Sequence, residues 1–306
     1  MKYYLLLFTY TSLLFAGASI SPVVMPEKLD AKKVVLGEKL FFDTRLSGDN
    51  TIACASCHIL SEGGDDNMQF SLGIKGQQGN MNAPTVLNAV YNFRQFWDGR
   101  AKDLQEQALG PIENPMEMGS HFPTLIKKLQ KTEYAKLFQD IYGEKISKKS
   151  ITNAIAEYEK TLVTQNAPFD RYLKGDKNAI TEEQKEGYEL FKSKGCISCH
   201  NGINVGGNLY SKFGVMENAK INALGRYNVT KRERDKYYFK VPSLRNIALT
   251  APYFHDGKTS SLKEAIKMMS QLQLGRDFSE SDIEKIEAFL HSLTGELPKE
   301  RKIYVP

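Results

Sequence analysis

Two stretches of the 306-residue chain carry the pattern Cys-x-x-Cys-His, which holds two thiols and an imidazole close together. These two stretches contain every cysteine of the chain and two of its five histidines. In this pattern the thiols bond to the vinyl groups of a haem, and the histidine binds the iron. The sequence therefore predicts two covalently bound c-type haems, one held by Cys54, Cys57 and His58 and the other by Cys196, Cys199 and His200.

The same cysteines suit three other kinds of chemistry. A redox dithiol of the thioredoxin kind uses Cys-x-x-Cys but needs no histidine after it. A zinc site made from both motifs would require the two stretches to converge in the fold. Structural disulfides are the third alternative. Because both copies carry the histidine that haem attachment needs, haem is the favoured interpretation.

The amino terminus has the features of a secretory signal. Lys2 precedes an apolar run from Tyr3 to Phe15, and Ala16-Gly17-Ala18 supplies the small residues of a cleavage site before Ser19. The run is too short for a membrane-spanning helix of about 20 apolar residues, so a retained anchor is the less favoured alternative. We expect residues 1–18 to be removed on export and the remaining chain to be periplasmic.

Composition agrees with a globular chain. Hydrophobic residues make up 41% of the sequence and charged residues 25%, and the length favours two domains. The net charge is +5, with one short basic cluster at 231–234. Such a distribution is typical of an ordinary solvated surface rather than of a nucleic-acid-binding one. A docking face for an acidic redox partner stays open as an alternative.

An internal repeat divides the chain into two similar parts. The segment Gly37 to Phe41 (Gly-Glu-Lys-Leu-Phe) precedes the first haem motif, and Gly187 to Phe191 (Gly-Tyr-Glu-Leu-Phe) precedes the second. Apolar residues at helical spacing dominate elsewhere, and strand signals are sparse. We predict a mainly α protein with two cytochrome c-like domains, 19–165 and 166–306, each carrying one covalent c-type haem.

Met269 is a candidate for the second axial ligand of one iron. A capping box at Ser261 and Glu264 opens a predicted helix on which Leu262, Ile266 and Met269 share the inward face. A thioether opposite histidine raises the reduction potential of a haem and closes its iron to substrates. Periodicity alone, however, favours Met269 as a core side chain over Met269 as a ligand.

Six further motifs occur together along the chain. They are Leu36 to Asp43, Asn82 to Thr85, Phe96 to Arg100, Glu117 to Gly119, Val241 to Asn246 and Tyr253 to Gly257. In this order they resemble the motifs of the bacterial di-haem cytochrome c peroxidases, a superfamily that includes relatives with other oxidative tasks. The resemblance covers nearly the whole chain after residue 18.

This resemblance implies a different role for each haem. The C-terminal haem, with His200 and Met269 as its axial ligands, would accept electrons. The N-terminal haem on His58 would reduce peroxide. Gln107 and Glu117 match the glutamine and glutamate that line the distal pocket of that haem in the family. There, Glu117 would move a proton between the two peroxide oxygens, and Gln107 would orient the peroxide.

Trp97 is the single tryptophan of the chain, and taken alone it is best explained as a packing residue. By resemblance it lies between the haem of the peroxidatic domain, 19–165, and the haem of the electron-transfer domain, 166–306, where it would couple their electron transfer. His255 is expected to support the C-terminal haem by hydrogen bonding. His291 lies off the apolar stripe of its helix, and we expect it at the surface.

The family also binds a calcium ion between its domains. The side chain of Asn82 and the main-chain carbonyls of Thr250 and Pro252 match the protein ligands of that ion. Amide and carbonyl oxygens suit a hard cation, and three of them leave coordination positions for water. Assembly as a homodimer is likewise implied by the resemblance alone.

One position departs from the family pattern. Many members carry a histidine before the Asn-x-Pro segment, which ligates the oxidised N-terminal haem and leaves when the other haem is reduced. Counting back from Trp97, this position is Ile74, and isoleucine cannot bind iron. We expect a permanently open iron; the alternative is a substitute ligand, for which the candidates are Met68, Lys75, Met81 and His121.

The leading hypothesis is therefore an enzyme that reduces hydrogen peroxide to water with electrons from a small c-type cytochrome or similar donor. A di-haem electron carrier or redox sensor without turnover is the alternative from another class. A third possibility is a relative that oxidises side chains of a partner protein. Such relatives use a tyrosine as the distal ligand of the C-terminal haem, so Met269 argues against this role.

Overall fold

The computed structural model describes residues 19–217 and 223–298. Within these ranges the fold is mainly helical, and the prediction of a mainly α protein is confirmed. A short antiparallel pair, β1 (Tyr210–Lys212) and β2 (Tyr238–Lys240), sets Tyr210 opposite Lys240. The helices are α1 (Ala31–Phe41), α2 (Leu104–Gln107), α3 (Leu109–Glu113), α4 (Phe122–Leu129), α5 (Tyr134–Tyr142), α6 (Lys148–Glu159), α7 (Pro168–Leu173), α8 (Glu182–Ser193), α9 (Tyr227–Thr230), α10 (Leu262–Leu274) and α11 (Glu280–His291).

Each half of the chain is built around one crossing of two helices at a glycine. α1 crosses α6 at Gly37, where a β-carbon would lie 1.9 Å from the main-chain oxygen of Ala154. α8 crosses α11 at Gly187, where a β-carbon would lie 1.9 Å from the oxygen of Lys285. Glycine has no side chain and so lets the two backbones approach this closely. The repeat seen in the sequence therefore marks equivalent crossings in the two halves.

Separate hydrophobic cores surround the two crossings. The core around α1 and α6 includes Leu36, Leu40, Phe122, Leu125 and Phe138. The core around α8 and α11 includes Phe169, Phe191, Phe289, Leu290 and Leu293. Full burial of a leucine or phenylalanine side chain contributes about 1.5–3 kcal/mol, so each half has its own source of stability.

The first described residues pack on the second half. Ile20 belongs to the core around α8 and α11. The Val23 N–H donates to Asp170 Oδ2 at 3.3 Å, and Asp170 Oδ1 pairs with Arg245 Nη1 at 2.6 Å in a fully buried ion pair. Arg245 Nη2 also donates to the main-chain oxygen of Ser21 at 2.9 Å. The segment before the first haem motif is thus tied to the C-terminal half.

In the part of the chain that the structure describes, no helix is both long enough and apolar enough to cross a membrane. The predicted signal peptide, residues 1–18, lies outside the described residues.

Replacing Gly37 with alanine is expected to destabilise the protein, because the added β-carbon would collide with the α6 backbone. Overpacking of this kind costs about 1–3 kcal/mol, which thermal unfolding followed by circular dichroism will measure. Gly187→Ala should give a comparable loss. Gly79→Ala is the matched control, since the nearest neighbour of its β-carbon would be 3.6 Å away. Equal stability of Gly37→Ala and Gly79→Ala would contradict the crossing.

Candidate active site and its two haem cavities

The first Cys-x-x-Cys-His motif forms a short turn, Cys54–Ser56, beside a cavity of about 370 Å³. Cys54, Cys57 and His58 all line this first cavity. His58 Nδ1 donates to the carbonyl oxygen of Gly64 at 3.0 Å, which leaves the lone pair of Nε2 for a metal. Burial lowers the pKa of His58. The imidazole is therefore held neutral and oriented, as an iron ligand must be.

The second motif repeats this arrangement at another cavity, of about 440 Å³. Cys196, Cys199 and His200 line this second cavity, and His200 Nδ1 donates to the carbonyl oxygen of Val205 at 3.3 Å. Burial lowers the pKa of His200 to about 4. Both motifs thus present two thiols and one neutral imidazole to a space of their own.

The zinc and disulfide alternatives find no support in this geometry. All four cysteines are free thiols. The two motifs line separate cavities instead of converging on one metal site. Across 19–217 and 223–298, no cluster of three or more histidine, cysteine, aspartate or glutamate side chains is arranged to hold a metal ion.

Lys240 tests whether the second cavity fits a haem. It lines the cavity and is 5% exposed, and its ammonium has no carboxylate partner among the described residues. Burial alone lowers its pKa to about 8. An unpaired buried cation is costly, and a haem brings two propionates that would neutralise it. The residues present therefore fit a haem, with Lys240 as a partner for its acidic edge.

Glu117 and Gln107, the two residues matched by resemblance, both line the first cavity. Gln107 comes from the end of α2, and Glu117 from the loop after α3. Asn114 Nδ2 donates to Glu117 Oε1 at 2.6 Å and fixes the carboxyl group. Burial raises the pKa of Glu117, while the Asn114 hydrogen bond and the charge of Arg100 oppose the shift. A carboxyl group with a raised pKa beside a ligand cavity is suited to proton transfer.

Ile74 is buried against Gly119 and is not part of the cavity lining. A β-carbon on Gly119 would lie 2.2 Å from Ile74 Cδ1, and the Ile74 N–H donates to the Glu117 main-chain oxygen at 2.8 Å. Position 74 thus braces the loop that carries Glu117.

The four residues proposed as substitutes for the ligand missing at position 74 lie in different places. Met81 lines the first cavity. Met68, Lys75 and His121 are exposed and do not line it. His121 stands at the N-cap of α4, although its side chain makes no capping hydrogen bond. The sequence analysis overlooked Met116, which lines the cavity but is 40% exposed.

Met269 lines the second cavity together with His200, from the face of α10 that also carries Leu262 and Ile266. Its neighbour Met268 is turned elsewhere, and its sulfur accepts a hydrogen bond from Thr259 Oγ1 at 3.3 Å. Of the two adjacent methionines, Met269 is therefore the one whose thioether shares a cavity with the histidine.

Trp97 lines both cavities and so forms part of the wall between them. Its Nε1 donates to the Asn82 main-chain oxygen at 2.9 Å, and its own carbonyl accepts from the Lys240 N–H at 2.8 Å. His255 faces it with a ring-centroid separation of 6.3 Å and stacks on Phe239 at 4.4 Å. The ring of Phe213 also packs edge-on against His255, at 5.5 Å between centroids. Among the described residues, His255 thus makes ring contacts rather than the side-chain hydrogen bond expected from the sequence.

Trp97 and His255 occupy equivalent turns, which the sequence analysis missed. Phe96 and Phe254, the residues just before them, both have φ of 68°. The turns close with the same ladder contact, from Gln95 to Ala101 and from Tyr253 to Thr259. The signal was present in the printed sequence, as Phe-Trp-Asp-Gly-Arg and Phe-His-Asp-Gly-Lys.

Asn82, Thr250 and Pro252, the expected calcium ligands, all line the second cavity. Asn82 Nδ2 donates to the Met68 main-chain oxygen at 3.0 Å, which turns the nitrogen away from any cation. Asp65 lines the same cavity, is 2% exposed and has a buried Oδ1 that finds no hydrogen-bond partner among residues 19–217 and 223–298. Burial raises the pKa of Asp65 to about 7.

Asp65 and Lys240 did not emerge from the sequence, and neither did Glu159, a buried residue in the lining of the first cavity. Glu159 offered a weak signal, because it lies between Tyr158 and Leu162, two residues of the apolar stripe predicted for this helix. Asp65 and Lys240 lie in segments without helical periodicity, where charge alone does not indicate burial.

Comparison with known proteins agrees with this geometry. A family model described as di-haem cytochrome c peroxidase matches residues 31–178, and one described as cytochrome c matches residues 184–294. The chain is 48% identical over 298 residues to the cytochrome c551 peroxidase of Nitrosomonas europaea, covering 95% of this chain and 89% of that protein. It is 50% identical over 280 residues to the cytochrome c peroxidase Ccp of Escherichia coli, covering 89% of this chain and 60% of that longer protein.

A solved structure extends the likeness to the fold. A MauG-like protein associated with microbial copper homeostasis superposes with a TM-score of 0.80 at 25% identity, over 95% of this chain and 96% of that one. High identity to relatives over most of this chain, together with a Cys-x-x-Cys-His turn at each of two cavities, confirms the resemblance predicted from the motifs. The chain belongs to the di-haem cytochrome c peroxidase family.

Proposed function

We propose that the protein reduces hydrogen peroxide to water with electrons from a small c-type cytochrome or similar donor. One observation carries this assignment, namely the chemical difference between the two cavities. The first is lined by Glu117 and Gln107, which can move a proton and orient a small polar substrate. The second is lined by Met269, which can close an iron to substrates.

The chain would hold one haem at each cavity through the two cysteines and the histidine of its motif. When bound, the haems supply the iron that accepts electrons singly and binds the oxidant. Glu117, as a carboxylate, takes the proton from the near oxygen of the peroxide and returns it to the far one. Gln107 holds the peroxide by hydrogen bonds while this happens.

Electrons are proposed to enter at the second half, where His200 and Met269 would hold the iron of the haem, and to be used at the haem that His58 would hold. Trp97, in the wall shared by the cavities, is the residue through which the two halves would be coupled. The division into a peroxidatic domain, 19–165, and an electron-transfer domain, 166–306, is part of this proposal. Two separate hydrophobic cores support it.

An open coordination position on the His58 side is also proposed. Pro111 follows Trp97 at the interval at which Met269 follows His255, and it lines the first cavity as Met269 lines the second. Proline has no side-chain atom that binds iron. The position that would supply Met269 as a ligand in the second half is Pro111 in the first half, where it can supply none. Ile74 is buried outside the lining of the first cavity.

Calcium is proposed to bind at Asn82, Thr250 and Pro252. The buried, unpartnered oxygen of Asp65 in the same cavity supports a cation there, because the three matched ligands are uncharged.

We further propose export to the periplasm through residues 1–18 and assembly as a homodimer. The pattern of the first residues supports export, and the family resemblance supports the dimer.

Glu117→Gln is expected to lower kcat for peroxide reduction by about 10²–10⁴-fold, because the amide cannot accept the proton. Steady-state turnover with a reduced c-type cytochrome measures the loss, and the absorption spectrum checks that both haems are retained. Glu113→Gln is the control, since Glu113 is an exposed carboxylate paired with Lys148 at 2.9 Å. Unchanged turnover in Glu117→Gln would refute the proton role.

The pH profile gives a second readout of the same role. The pKa of Glu117 is raised by burial, so wild-type turnover should fall as the pH drops through a value above the ordinary carboxyl range. This acid limb should be absent from the residual activity of Glu117→Gln.

Electron paramagnetic resonance of the air-oxidised protein should show one high-spin and one low-spin ferric haem. The reason is that Met269 would complete the coordination of one iron, whereas the proposed open position would leave the other without a sixth protein ligand. Two low-spin signals would contradict the open position. In that case Met81→Leu tests the one proposed substitute that lines the first cavity, with the exposed Met68→Leu as its control.

Isothermal titration of the chelator-treated holoprotein with Ca²⁺ should detect binding that Asn82→Ala weakens by roughly tenfold or more, since a ligand is lost. Asn80→Ala, an exposed neighbour of the same residue type, should bind like wild type. Equal affinities for the two variants would exclude Asn82 as a ligand.

A further inference from the structure

The helix crossings give a residue-by-residue correspondence between α6 and α11. A β-carbon on Gly37 would lie 2.8 Å from Tyr158 Cβ, and one on Gly187 would lie 2.9 Å from Phe289 Cβ. Tyr158 and Phe289 therefore hold the same place in the two halves. The next residue along each helix is Glu159 in α6 and Leu290 immediately after Phe289 in α11.

Both of these next residues face a haem cavity. Glu159 lines the first cavity with Ile155, and Leu290 lines the second with Ile286. Ile155 and Ile286 are themselves a corresponding pair by the same register. At one matched position, the half that carries Glu117 has a carboxyl group and the other half has an apolar side chain.

The carboxyl group of Glu159 lies in an unusual environment for a group that can carry a charge. The residue is 5% exposed, and its buried Oε2 has no hydrogen-bond partner among the described residues. Burial is the one cause of its raised pKa, which is about 8, so no charge on the neighbouring helices α1 and α2 shifts it. Cys54 is the titratable group that faces Glu159 from the haem turn, and attachment to haem removes its proton.

We propose that Glu159 is a proton-holding residue of the first cavity, which takes up one proton when the haem on His58 gains one electron. Electron and proton enter together, so the net charge of the buried site stays constant. Separating these two events would leave an uncompensated charge in a low-dielectric cavity, which is costly. Leu290 gives the second half no such group.

This inference rests on the proposed function for the two haems, but its readout is a reduction potential and not peroxide turnover. Failure of peroxidase activity and failure of the Glu159 role are thus separate outcomes. Glu117, Asp98 and Arg100 are the other charged groups that line the first cavity. Asp98 and Arg100 pair with each other at 3.1 Å, so Glu117 is the competing source of a pH effect and defines the control.

The experiment is spectroscopic redox titration of the holoprotein from about pH 5 to 9, with the two haems resolved. The potential of the first haem should fall as the pH rises, by up to about 59 mV for each tenfold drop in proton concentration. The second haem, beside Leu290, should respond less. Glu159→Gln and Glu159→Leu should both lose this slope, whereas Glu117→Gln should keep it.

A first-haem potential that is flat with pH, or a slope that survives in Glu159→Gln, would overturn the assignment. If neither Glu159 variant retains its haems, infrared difference spectra of wild type decide the question. Reduction of the first haem should then produce the carbonyl band of a newly protonated carboxylic acid that shifts on isotopic labelling of glutamate. Absence of that band would equally overturn the role of Glu159.

Discussion

One buried hydroxyl group joins the walls of the two haem cavities. Thr164 Oγ1 accepts hydrogen bonds from Asn88 Nδ2 at 2.8 Å and from Asn246 Nδ2 at 3.0 Å. The two asparagines are fully buried and have matching left-handed backbones, with φ of 60° and 59°. Asn88 follows segment 82–86, which lines the first cavity and, through 82–85, also the second. Asn246 follows segment 241–244, which lines the second cavity. Because a hydroxyl oxygen has two lone pairs and an unmade buried bond costs about 1–3 kcal/mol, this threonine ties both cavity walls to one point.

Around this point the chain repeats its scaffold but not its chemistry. The glycine crossings and the Phe-x-Asp-Gly turns are equivalent in the two halves. The side chains that these elements present are different, with Trp97 matched by His255, Pro111 by Met269 and Glu159 by Leu290. Each difference gives the first cavity either a side chain that cannot bind iron, as with Trp97 and Pro111, or one that can hold a proton, as with Glu159. The specialisation therefore depends on a few side chains placed on a common backbone.

Sequence reasoning succeeded where the determining contacts are local. The haem turns and the α10 cap could be predicted because each depends on residues within one turn, as when the Glu264 N–H donates to Ser261 Oγ at 3.1 Å. It could not identify Glu159, whose burial depends on residues far away in the chain. For the same reason it missed Ile20 in the core of the second half. Met269 was predicted in part. Helical periodicity placed it on the inward face of its helix, but only the family resemblance suggested a role as an iron ligand.

The wall between the two cavities affects the delivery of electrons and of protons differently. Reduction of one peroxide to two waters takes two electrons and two protons. Electrons can cross an aromatic wall such as Trp97 from a distant donor, but protons need titratable groups within hydrogen-bond reach. A buried cavity also penalises any change of net charge, so the proton must arrive where and when the electron does. The carboxyl groups of Glu117 and Glu159, whose pKa values burial raises, are thus the proposed local counterpart of the long-range path through Trp97, and only the first cavity is proposed to need them.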